Sequence, residues 1–442
     1  MTASRLTPMT SHLRSTCLGA LSALCALSVA CGDDTPPRPM ADGGPRVDSG
    51  IDAGPVDGGS DDGSAEDADV DGGSTDVTCT VGERVALGTD GESRGQRVAL
   101  AASTGGTLAA WRAKDGDFTN AFVSLLGSDG SASDAVAITD DFAEQEAVHA
   151  VRTDSGFIVA WYANVPGMGF EVVTRALDGS GSPTAAEVVV TSGDGVRHDN
   201  PALAFGPEGP VMVFVEDDTS GNREVFAVAL NDDGTTDGTP VSVLGADYGV
   251  SQPVLVERAA SAPILLSTDV STGGVTDERA VWLQPLTVAL AASGDPRRVD
   301  LDGNSAGDVA AAVTPSDDVG IAFDVRVASI RNEVHYRPVL AGTSEPVGLE
   351  EVPSDTQTSD PGIAATAGGF AVAYRSFEPS PTIEVAFVGV PGEVIGTIDL
   401  GATTEQGGPV SVVATTDGRL WVAWAERGET ETTLFARRVT CD

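Results

Sequence analysis

The chain has 442 residues, enough for two or three ordinary domains or for one large repetitive one. Its 41% hydrophobic content can build a core, but only 5% is aromatic, so packing must rest on Val, Ala, Leu and Ile. Sixty-six acids against 25 bases leave a formal net charge of -41, which argues against nucleic acid and against charge-driven docking on an anionic membrane.

Residues 1–30 read as an export signal. Arg5 and Arg14 make a positive start, and Leu18 to Ala30 form an apolar run too short to span a bilayer as a stable helix. The run ends Leu27-Ser28-Val29-Ala30-Cys31-Gly32, with small residues directly before a cysteine. This ending resembles the lipobox of bacterial lipoproteins, in which the cysteine is lipidated and becomes the new N-terminus. The resemblance implies lipidation at Cys31 and a chain anchored to the bacterial outer membrane, on its periplasmic or cell-surface side. It departs from the usual pattern at Ser28, where a leucine is expected, with Leu27 one place further back. An ordinary secretory signal cut nearby is the alternative.

Of the five cysteines, Cys17 and Cys25 belong to the signal and Cys31 takes the lipid, so Cys79 and Cys441 remain. Two cysteines left in an exported chain read as one disulfide.

The stretch 31–78 is a tether. From Asp33 to about Val77 it is Asp, Gly, Ser, Ala and Pro with almost nothing to bury, a composition expected to stay disordered and charge-extended. Asp67-Ala68-Asp69-Val70-Asp71-Gly72 copies the opening of a calcium loop, but Thr78 stands where the bidentate glutamate would fall. A spacer is the simpler reading. Asp/Gly tethers after a lipidated cysteine resemble those of myxobacterial surface lipoproteins.

From Cys79 to the end, short β-rich runs alternate with Gly, Asp, Ser and Pro turns and no helical period persists. One run recurs: a small turn residue, alternating apolar residues, then usually an aromatic. It ends at Trp111, Trp161, Phe214, Ser267, Phe323, Tyr374 and Trp424, with spacings of 50, 53, 53, 56, 51 and 50 residues. Only the fourth lacks the aromatic. Each run fits the second strand of a four-stranded unit. A shorter apolar strand precedes it (PALAF from Pro201), a longer alternating one follows (REVFAVAL from Arg223), and an edge strand ends the unit (PVSVL from Pro240). Seven such units predict an all-β fold, a seven-bladed β-propeller spanning 79–442.

The seventh unit stops one strand short, and a spare strand, Arg84 to Gly88, precedes the first. Adding it to the last blade closes the ring and brings Cys79 to Cys441. A bond there is worth nominally ~4–5 kcal/mol by chain entropy. A string of β-sandwich domains is the rival architecture; it gives the terminal cysteines no reason to meet. The units resemble bacterial extracellular propeller repeats, best in the third: Asn200-Pro201, Phe214 to Asp218, then Ser220 to Phe226 and Asn231 to Gly234. That resemblance implies fold and not chemistry.

Candidate chemistry is sparse. His149, His198 and His335 fall in three different units without ligand spacing, which argues against zinc or iron. Calcium is the one possible cofactor, at Asp300, Asp302, Asn304 and Asp308, whose pattern resembles the calcium loops of integrin-type propellers but occurs once. A solvated loop is the plainer reading. Arg112, Arg326, Arg375 and Arg427 each follow a second strand, where loops often line a propeller's mouth, and form the best ligand-binding constellation. A sialidase-like site would use such arginines, yet the Asp-box and the Arg-Ile-Pro signature of sialidases are missing. The aromatics recur at one position in every blade, which points to blade packing and not to sugar stacking.

The function expected from these features is a surface-anchored lipoprotein with a non-catalytic binding or scaffold propeller. Its partners are the membrane, through the lipid, and an unknown protein or glycan. The alternative is a carbohydrate-active hydrolase or lyase with its site at the central mouth.

Overall fold

The computed structural model describes residues 77–90, 97–115, 118–139, 145–191, 195–248, 250–269, 279–300, 305–328, 331–348, 350–352, 357–390, 392–404 and 407–441. All of them fall in one compact unit, Asp71–Asp442. The signal, Cys31 and the tether up to residue 76 lie outside the described residues.

The chain folds as a seven-bladed β-propeller. Each blade is a four-stranded antiparallel sheet, and six blades take their strands in sequence order. The seventh is built from both ends of the ring. Ser411–Ala414, Leu420–Arg427 and Thr432–Cys441 form its first three strands, and Cys79–Asp90 pairs antiparallel with the last as the fourth. The closing strand is twelve residues long and exceeds the predicted Arg84 to Gly88, because pairing runs from Cys79↔Cys441 to Asp90↔Thr432. Cys79 and Cys441 are disulfide-bonded across a sequence separation of 362, with Cα atoms 4.1 Å apart.

The seven predicted runs are the second strands of the seven blades, and each continues past its aromatic position. Strand alternation turns that position inward, where Trp111, Trp161, Phe214, Phe323, Tyr374 and Trp424 are all buried. Several stack on the residue opposite in the third strand: Trp111 on Phe122, Phe214 on Phe226, Phe323 on His335. In blade four, where Ser267 replaces the aromatic, its cross-strand partner is Trp282, which meets Tyr248 edge-on at 5.1 Å. Tyr248 thus gives Trp282 the ring contact that the second-strand aromatic gives its partner elsewhere.

A blade alone would leave both sheet faces wet, so stability comes from stacking. Seven apolar clusters lie at the seven junctions between adjacent blades, including the one that joins blade seven to blade one through Leu87, Trp421, Val98 and Trp111. The seam cysteines rest against the cluster between blades six and seven. Arginines add a repeated cross-blade link. Arg175, Arg337 and Arg437, on third strands, each donate to a carbonyl at the outer edge of the preceding blade: Ile138, Val299 and Leu400. Each satisfies an edge group that no fifth strand can reach.

Candidate functional site at the central mouth

The first strands of all seven blades converge on one channel. Leu100, Ala150, Leu203, Leu255, Ala311, Ile363 and Val412 line its throat. Arg97, His149 and Ser411 share that lining with the apolar residues.

One end opens into a cavity of about 260 Å³. Register explains which residues reach it. In each blade, the inner residue opposite the one before the aromatic position is Ala99, His149, Ala202, Val254, Ala310, Gly362 or Ser411. Two residues earlier stand Arg97, Ala147, Asn200, Gln252, Asp308, Asp360 and Pro409. All but Asp360 line the cavity. This position is a recurrent irregularity: the ladders of blades two, three, five and six shift register just there. Ala147, Asn200 and Asp360 have φ of 50, 47 and 60°, the left-handed region that non-glycine residues rarely enter. A bulge that ends pairing and re-aims a side chain is a common device at barrel and ring rims.

A second layer comes from the residue after each aromatic position: Arg112, Tyr162, Val215, Thr268, Asp324, Arg375 and Ala425. Arg112 and Tyr162 reach the cavity. The mouth is therefore two-sided. Blades one and two bring Arg97, Arg112, His149 and Tyr162; blades five and six bring Asp308, Asp324 and Asp360.

The acids are coupled. Asp324 is buried, and the backbone of Gly307 gives it room, since a Cβ at that glycine would lie 2.3 Å from its Oδ1. Among the described residues this Oδ1 has no hydrogen-bond partner. Burial first, then the charges of Asp308 and Asp360, push its carboxyl up to about 8. Asp360 is also raised, by burial and by Asp308, while the Ser359 hydroxyl, Arg375 and Arg97 pull it the other way. Opposite them, burial and the adjacent Arg97 hold His149 down at about 4, so its imidazole is neutral at pH 7. Asn200 donates to the Ser251 carbonyl at 2.7 Å, which ties blade three to blade four at the rim.

The four arginines picked from sequence do not converge. Arg112 lines the cavity. Arg375 is fully buried and joins blades six and seven, donating to Thr403 Oγ1 (2.9 Å), the Thr404 carbonyl (2.6 Å) and the Ala425 carbonyl (3.1 Å). Arg326 and Arg427 are exposed, two residues further along their strands than Arg112 and Arg375 are along theirs. Of the calcium candidates, Asp300 is committed to Arg298, at 3.0 and 2.8 Å, and to the Val281 amide. Asp308 lines the mouth, and Asp302 and Asn304 lie outside the described residues. Among the described residues no group of three or more His, Cys, Asp or Glu is arranged to hold a metal ion.

Arg97, Tyr162 and Asp324 escaped the sequence reading. Aligning the units on the aromatic exposes the last two, since the next column holds Arg, Tyr, Val, Thr, Asp, Arg and Ala where the two columns before it are apolar except for Ser267.

No protein-family model matches the chain, and no curated protein matches it in sequence. Among solved structures it is similar to an ulvan lyase, a polysaccharide lyase bound to a saccharide of glucuronate and sulfated rhamnose. That pair has a TM-score of 0.54 at 9% identity, covering 80% of this chain and 95% of the other. A second polysaccharide lyase gives 0.51 at 11%, covering 80% and 92%. The hydrazine synthase of Kuenenia stuttgartiensis gives 0.50 at 14%, covering 76% and 94%. At such identities the likeness is one of fold: this chain is a β-propeller of the kind those proteins contain.

Proposed function

We propose that the chain is an exported, lipid-anchored binding protein of the bacterial outer membrane whose propeller holds an acidic saccharide at its central mouth. Cys31 carries the lipid, and the acidic stretch 31–78 holds the ring away from the bilayer. One observation carries the ligand reading: a single cavity places Arg97, Arg112, His149 and Tyr162 across from Asp308. Guanidinium groups suit a uronate carboxylate or a sulfate, which they can grip with two parallel hydrogen bonds. Asn200, Gln252 and Asp308 suit sugar hydroxyls. A protein of net charge -41 repels an acidic ligand at long range, so two arginines at one mouth have a local purpose. The polysaccharide lyases of similar fold are consistent with this reading.

The test is a glycan array probed with the wild-type chain and with Arg97→Ala and Arg112→Ala. Acidic saccharides should be retained over neutral ones of equal length. Each substitution should cost roughly tenfold or more in affinity, the worth of one charge-assisted hydrogen bond. Equal retention of neutral and acidic sugars, or unaffected variants, rejects the proposal.

A second reading, cleavage of the bound saccharide, is favoured by Asp324. A carboxyl that keeps its proton to about pH 8 beside two ionisable acids is what a general acid requires. His149, neutral at pH 7, lines the cavity as a candidate base, whereas Asp324 is not among the residues that line it. Turnover would release new reducing ends by hydrolysis, or ultraviolet-absorbing unsaturated uronates by elimination. Ligand recovered intact after prolonged incubation rejects this second reading and leaves binding alone.

A further inference from the structure

The ring has another cavity on the face away from the mouth. There the turn between the first two strands of blade three and the loop between those of blade four enclose about 400 Å³ with Val288, Ala289 and Leu290. That volume is in the range of pockets that bury small organic ligands. The walls are mostly Pro, Ala, Val and Leu, and Val288 is 67% exposed at the rim.

The polar group that stands out here is Glu257. Gly206 makes room for it, because a Cβ at that glycine would lie 2.7 Å from Glu257 Oε2. Among the described residues, the buried Oε1 of Glu257 has no hydrogen-bond partner. The adjacent cation is directed elsewhere. Arg258 donates to the carbonyls of Asp317, Leu340 and Thr343 and pairs with the Asp317 carboxylate at 3.5 Å, all in blade five. Glu208, on the opposite wall, adds a second negative charge to the groove. Burial first, and Glu208 second, push the Glu257 carboxyl up to about 7. A buried carboxyl with an unpaired oxygen in an apolar groove is costly unless something pairs with it.

We infer that this groove binds an organic cation, an amine with an apolar body, whose ammonium pairs with Glu257 and whose body lies on Pro207, Pro210, Val288 and Leu290. The site is independent of the mouth. Glu208 and Arg258 are the charged groups that share the groove with Glu257; burial and Glu208 raise its carboxyl. The amine binds the ionised carboxyl. Affinity is therefore level above the carboxyl's pKa of about 7 and falls roughly tenfold for each pH unit below it.

Calorimetric titration of the wild-type chain with phenethylamine, from about pH 5 to about pH 9, tests this, with phenethyl alcohol and hydrocinnamate as neutral and anionic counterparts. The amine should bind at least tenfold more tightly than either counterpart at high pH, and weaken on acidification. Glu257→Gln should lose that advantage and its pH dependence. Gly206→Ala, which retains the charge but displaces the carboxyl, should weaken the amine without abolishing the pH dependence. Equal binding of the three probes, no binding of the amine, or full affinity in Glu257→Gln overturns the inference. If Glu257→Gln fails to fold, the three probes on the wild-type chain decide the matter.

Discussion

Replacing Asp324 with asparagine removes a carboxyl that the fold keeps protonated while leaving a side chain of the same shape. In the unfolded chain this group ionises near 3.8; in the folded one, near 8. Between those values the unfolded state releases a proton that the folded state keeps. The stability contributed by the neutral form is complete below 3.8 and is lost as pH rises towards 8. At about 1.4 kcal/mol per pH unit, the interval sets a ceiling of about 6 kcal/mol. Relaxation and water entry around a buried charge reduce this, and about 2–3 kcal/mol is expected. The amide of the variant titrates nothing, so Asp324→Asn should match the wild type near pH 4 and exceed it in stability by that amount near pH 8. Urea unfolding at the two pH values measures the difference. A stability gap that stays constant between them would refute the raised pKa of Asp324 in the folded chain.

Arg375→Ala should cost about 3 kcal/mol or more in urea unfolding, because it strips donors from the buried carbonyls of Thr404 and Ala425; Arg375→Lys should restore little, lacking the fork. Reduction of Cys79–Cys441 should lower stability by up to about 5 kcal/mol and, in hydrogen exchange, loosen blades one and seven before the others. Cys31→Ala should release the protein from membranes on fractionation; continued attachment would reject lipidation there.

The ring was legible because its physics repeats. A buried aromatic, a cross-strand partner and a Gly-bearing turn recur about every 50 residues, and the end of the pattern one strand early told where the first strand must go. Ser267 did not break the pattern, since the residue opposite it, Trp282, still has a ring partner in Tyr248. The mouth was less legible. Arg112 and Arg375 occupy the same place in their units, yet one lines the cavity and the other is sealed between blades by Thr403, Thr404 and Ala425. What surrounds such a residue is decided by the next blade, some 50 residues away, and no local pattern records it. Asp324 shows the same limit. Its proton is held by burial and by Asp308 and Asp360, of which the latter belongs to another blade.

The central claim, that the mouth is where the ligand sits, is tested most directly by hydrogen exchange with and without a saturating acidic oligosaccharide. Protection should appear at the starts of the inner strands, around Arg97 to Ala99, Ala147 to His149, Asn200 to Ala202 and Asp308 to Ala310. The outer strands of the blades should exchange unchanged. Protection confined to the outer edges or to the groove around Glu257, or none at all, would contradict the account.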